Sequence, residues 1–97
     1  MVDFVKAYGA KYKDDKNNAK VPDALAALGY DATNLIIAGI AAAGADDTAK
    51  VKTALEGITF VGVTGKVTFD ANHNPVKSAT ILHVTGGKVV FDSVVAP

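Results

Sequence analysis

The stretch Phe60-Val-Gly-Val-Thr-Gly-Lys-Val-Thr-Phe-Asp-Ala-Asn-His-Asn-Pro-Val-Lys77 decides how the chain is read. Gly62 and Gly65 break backbone regularity just before Lys66-Val67-Thr68-Phe69, which alternates polar and apolar as a strand with one buried face does. Asp70-Ala-Asn-His-Asn-Pro75 is a run of turn formers. Val76 to Val84 then reads as the returning strand. Gly86-Gly87 predicts a hairpin turn into a third strand over Lys88–Val95.

Upstream of this stretch the apolar period lengthens from two to between three and four. Phe4, Val5, Tyr8 and Tyr12 form one stripe of a helix predicted over Val2–Lys13, with Asp3 at its cap or in its first turn. Asp14 to Lys20 has no apolar period and reads as a solvated loop. Pro22 fits the first position of a second helix, in which Leu25, Leu28, Ala32, Leu35, Ile36, Gly39 and Ile40 recur at helical spacing. Gly44 ends it as a left-handed cap. Asp46 or Asp47 caps a third helix carrying Val51, Leu55 and Ile58, limited by Gly57. Three helices followed by an antiparallel three-stranded meander make an α+β chain, expected as a single compact unit.

Composition excludes several functions. Ten basic and ten acidic residues are interspersed and give no net charge, so the basic stripe of a nucleic-acid reader is missing and no nucleic-acid partner is expected. Cysteine is absent, which removes disulfides, thiol nucleophiles and thiolate metal sites. The apolar run Leu35–Ala43 is shorter than the ~20 residues of a bilayer span. Met1-Val-Asp-Phe4 does not read as a signal peptide.

The remaining chemical candidates each fail on particular residues. Asp70, Asn72 and Asn74 stand at the first three ligand positions of a calcium loop, but Pro75 replaces the sixth-position glycine and Ile81 the terminal glutamate. Side chains bonding their own turn backbone are the better reading. His73 and His83 have no carboxylate at metal-ligand spacing; the first reads as a turn residue, the second as a strand residue at solvent or the sheet rim. Gly62-Val-Thr-Gly65 lacks the Lys-Ser/Thr and the following helix of a phosphate loop, so a bulge or turn is expected. Ser78, Ser93 and the threonines have no base at a recognisable spacing. No catalytic residue, metal ligand or cofactor is expected, and no enzyme.

Taken in order, five segments resemble one family. They are Phe4-Val-Lys-Ala-Tyr8 with Lys11-Tyr12, Pro22-Asp-Ala-Leu-Ala-Ala-Leu-Gly-Tyr-Asp-Ala32, Lys50-Val-Lys-Thr-Ala-Leu55, Phe60 to Asp70, and Pro75-Val-Lys-Ser-Ala79. Together they resemble the C-terminal segment of the leucine/isoleucine/valine-type (branched-chain amino acid) periplasmic solute-binding proteins of ABC transporters. Members of that family have two α/β lobes joined by three crossings, and they close on an amino acid for delivery to an ABC permease.

The resemblance implies that residues 1–77 belong to the first lobe and residues 78–97 to the last crossing and terminal strands. It implies an extracytoplasmic parent protein and a chain that lacks most ligand-gripping groups, and so does not itself bind ligand. Family members often carry Tyr or Phe against the ligand where Leu25 stands. Leu25 is thus the one ligand-binding candidate, with a place in the helix core as its alternative. The other reading of the chain is a structural, self-associating truncated domain. Valine-rich strands with open edges predict a homodimer, with exchange of helices or strands as one route.

Overall fold

The computed structural model describes residues 1–97. Helices α1 (Val2–Lys11), α2 (Ala24–Ala43) and α3 (Thr48–Glu56) precede strands β1 (Phe60–Gly62), β2 (Gly65–Phe69), β3 (Pro75–Val76), β4 (Ala79–Thr85) and β5 (Lys88–Val95). The α+β order, helices first and antiparallel strands after, is the expected one. The strands form two small sheets, β1-β2-β3 and β4-β5.

Helix ends follow side-chain chemistry. Asp23 caps α2 by accepting from the Ala26 amide at 2.7 Å, so Pro22 lies just outside the helix instead of opening it. Asp47, the second of the two candidate caps, accepts from the Lys50 amide at 3.0 Å at the start of α3. Gly44 takes the left-handed conformation (φ 69°) that closes α2. α1 stops two residues early, because Tyr12 is extended and Lys13 bridges to Ala19. Between them Asp14 accepts from the Lys16 and Asn18 amides, turning the expected loop into a tight, locally bonded reversal.

Two strand boundaries differ from the sequence expectation. Phe60–Gly62 forms an extra strand, pairing Phe60 with Val67 and Gly62 with Gly65 around a Val63-Thr64 turn. The long returning strand is divided: Pro75-Val76 pairs with β2, then Lys77 and Ser78 leave the sheet, and β4 pairs only with β5. The meander is therefore cut at Lys77-Ser78, where the chain changes partner. In the β4–β5 hairpin, Gly86 and Gly87 both have positive φ, as the two-residue turn requires.

The core is small and lies within residues 1–76. Phe4 packs on Tyr30 with ring centroids 4.8 Å apart, and Ala27 and Val67 are the other buried apolar residues. α2 packs on α3 and β1, and α3 on β2; the backbone of the β4–β5 hairpin comes close to no other element. The outline is accordingly open. The radius of gyration is 16.6 Å, against about 13 Å for a compact domain of this length. The accessible surface is 7151 Å², against about 5,200 Å² for a compact monomer of this mass.

Two apolar faces account for much of the excess. One runs along α2 through Leu25, Leu28, Ile36 and Ile40; the other covers the hairpin face bearing Leu82, Val84, Val89 and Phe91. An 18-residue window of α2 reaches a mean hydropathy of 1.4, high enough for a membrane span. Its buried tie to the β1–β2 turn, described next, places it instead in a packed fold.

Candidate functional site

The one long-range polar constellation is centred on Asp31, the only charged residue in α2. Asp31 is 5% exposed and faces the β1–β2 turn. Its carboxylate accepts from the Val63 amide at 2.9 Å, from the Thr64 amide at 2.8 Å and from the Thr64 hydroxyl. Lys77 Nζ in turn donates to Thr64 Oγ1 at 2.7 Å. Gly62 is required beside it, because a Cβ there would fall on the Asp31 carboxylate. Desolvation pushes the Asp31 carboxyl up, but the Thr64 hydroxyl, the Thr64 and Val63 amides and the Lys77 ammonium outweigh it and hold the group below its ordinary value.

This arrangement explains the phosphate-loop likeness of Gly62 to Gly65. The turn does present two amides to an anion, as such loops do. The anion is the chain's own carboxylate, delivered from a helix more than thirty residues upstream. An aspartate within a helix ordinarily faces solvent; this one is turned inward and bonded to the turn. A lone acidic residue inside a 20-residue apolar helix was the available signal, since a buried carboxylate needs partners.

Other candidates stay apart from this centre. Leu25 stands in the first turn of α2 and is 76% exposed. An open cavity of about 490 Å³ lies nearby, lined by Asp23, Leu28, Thr64, Lys77, Ser78 and Thr80 among others; Leu25 lies outside it. Asp70 accepts from the Asn72 and Asn74 amides at 2.8 Å each, so its side chain serves its own turn. Those turn bonds, the one to the Asn74 amide foremost, lower its pKa. His73 adopts a left-handed φ of 64° in that turn, with Nε2 3.3 Å from Glu56 Oε1. Lys52, by hydrogen bond and charge, is the main reason that Glu56 ionises more readily than usual. His83 Nδ1 lies 3.6 Å from Asp92 across the hairpin. Each histidine thus meets one exposed carboxylate, and the two pairs belong to different parts of the molecule.

The chain therefore shows a polar structural joint, two uncovered apolar faces and one open cavity whose polar lining, Asp23, Thr64, Lys77, Ser78 and Thr80, borders the joint. The sequence pattern of the periplasmic binding protein family matches residues 2–88. The leucine-binding protein LivK of Thermotoga maritima is 34% identical, with a TM-score of 0.76 over 99% of this chain and 26% of its own. A solute-binding protein of an ABC transporter from R. palustris, in complex with benzoate, is 32% identical with the same TM-score and coverage. No curated protein matches the chain significantly. The chain spans about a quarter of the length of these two structures. With nearly its whole length matched and its fold shared, the chain belongs to the periplasmic binding protein family.

Proposed function

We propose that this chain is a segment of an extracytoplasmic solute-binding protein that captures a branched-chain or related amino acid for an ABC importer. The observation that carries the reading is the family match over residues 2–88 together with a leucine-binding neighbour of the same local fold. The benzoate-bound neighbour marks the runner-up, an aromatic carboxylate, as a ligand to test beside the amino acids. In this reading residues 1–77 belong to the first lobe and residues 78–97 form the last crossing and its terminal strands. Leu25, projecting from the first turn of α2, is the one ligand-proximal side chain assigned. The partners are the amino acid and the ABC permease.

In this reading the 97-residue chain does not itself hold the amino acid, and binding resides in the larger protein. Calorimetric titration with leucine, isoleucine, valine and benzoate tests this. The 97-residue chain gives no heat beyond dilution, and a two-lobed protein containing it binds one of the four. Micromolar binding by the chain alone would overturn the first statement; failure of the two-lobed protein with all four would overturn the second.

The second reading is a self-associating structural domain, favoured by the uncovered α2 and hairpin faces. The surface in excess of a compact monomer, roughly 2,000 Å², is enough for a second copy to cover. Light scattering showing dimers at micromolar concentration supports it, and a monomer throughout that range removes it.

A further inference from the structure

We propose that Lys77 is a latch that fixes the direction in which the β4–β5 hairpin leaves the rest of the molecule. The inference goes beyond solute binding and does not depend on which ligand the larger protein takes. The last residue held by the first sheet is Val76, paired with Thr68, and the first held by the hairpin is Ala79, paired with Val95. Only Lys77 and Ser78 lie between. Two residues contribute four soft backbone dihedrals, and the backbone of β4 and β5 lies close to no helix and to no strand of the first sheet.

One side chain supplies the restraint. Lys77 is half-buried, and its Nζ donates to Thr64 Oγ1 at 2.7 Å. That hydroxyl is itself oriented, because its proton is committed to Asp31 and its lone pairs are left to face the ammonium. The Asp31 carboxylate beyond it has the sign that attracts Lys77, and it is anchored in α2 by the Val63 and Thr64 amides. The connector is thus tied through a turn to the longest helix. The tie keeps the two uncovered apolar faces, that of α2 and that of Leu82, Val84, Val89 and Phe91, in a fixed mutual orientation.

The absence of cysteine makes the test clean. Spin labels are placed at two exposed positions, Lys50→Cys in α3 and Thr85→Cys at the end of β4, and pulsed dipolar distances are recorded with the labelled chain diluted in unlabelled chain. With Lys77 present, the label pair gives one narrow distance distribution. Lys77→Met, which keeps the aliphatic stem and removes the donor, loses the narrow peak while the far-UV helical signal is unchanged. Lys77→Arg, which restores a donor toward Thr64, recovers it. A narrow peak that survives Lys77→Met, or a broad distribution with Lys77 intact, overturns the latch. Loss of the helical signal in Lys77→Met would also overturn it, by assigning the residue to stability of the helical part instead of to the hairpin's direction.

Discussion

The Asp31 joint and the β4–β5 hairpin are built from opposite materials. At the joint a carboxylate is buried to 5% exposure and every contact it makes is a specific hydrogen bond. The hairpin is rich in Val and carries Ile81, Leu82 and Phe91, yet Leu82, Val84, Val89, Phe91 and Val94 are all more than half exposed. Apolar content therefore does not decide which part of this chain is ordered against the rest. A two-stranded ribbon has nothing to bury its faces against unless another layer is supplied. A carboxylate carries its own condition for burial, partners at hydrogen-bond distance, and once these are met it fixes a helix to a turn across the chain.

Removing the joint gives the largest expected effect. Asp31→Ala leaves the Val63 and Thr64 amides and the Thr64 hydroxyl without their acceptor and costs about 2–4 kcal/mol. Urea unfolding measures it, and a change within error would show that the joint is incidental. Gly62→Ala attacks the same contact from the turn side. Its Cβ would fall on the Asp31 carboxylate, which cannot move without losing its donors, so a loss of about 1–3 kcal/mol follows.

Acid weakens the joint without a mutation. The folded Asp31 lies below the ordinary carboxyl value of 3.8, so its contribution is fully present above that value and is lost as pH falls through the lower folded one. Stability of the unmodified chain should therefore drop below about pH 4 more steeply than that of Asp31→Asn. Equal slopes would place the acid sensitivity elsewhere, in Asp14, Glu56 or Asp70, whose pKa values are also lowered.

The hairpin should show the smallest effect. Phe91→Lys changes an exposed side chain and should alter the stability of the monomer by no more than about 0.5 kcal/mol. The same variant should shift any light-scattering dimer toward monomer if the hairpin face is what a second copy covers. A dimer unaffected by Phe91→Lys and abolished by Ile37→Lys would move the interface to α2, where Ile37 is 57% exposed.

Much of the fold is legible locally. The three helices, the Asp47 cap, the Gly44 terminator and the Gly86-Gly87 turn each rest on residues within a few positions of one another, and the order of the five motif segments carries the family; the start of α2 was displaced, because Asp23 and not the residue before Pro22 is the cap. The candidate site is less legible. Leu25 comes from the resemblance alone, and the structure shows it exposed and outside the nearby cavity. The short strand Phe60–Gly62 was hidden because three residues carry too little period to distinguish strand from turn. The break at Lys77-Ser78 was hidden because Val76 and the following Thr80-Ile81-Leu82 run read as one strand.

The sequence by itself determined the order of helices before antiparallel strands, the Gly44 and Asp47 helix boundaries and the family, because periodicity, capping and turn chemistry act between near neighbours. Only the tertiary structure decided that Asp31 fills the Gly62–Gly65 turn, that Lys77 bonds to Thr64, and that the last two strands stand apart from the first sheet. Asp31 meets its partners 32 and 33 residues away. The lone acid in an apolar helix signals that a partner is needed, but which partner has no local signature, because the contact exists only once the path of the whole intervening chain has brought helix and turn together.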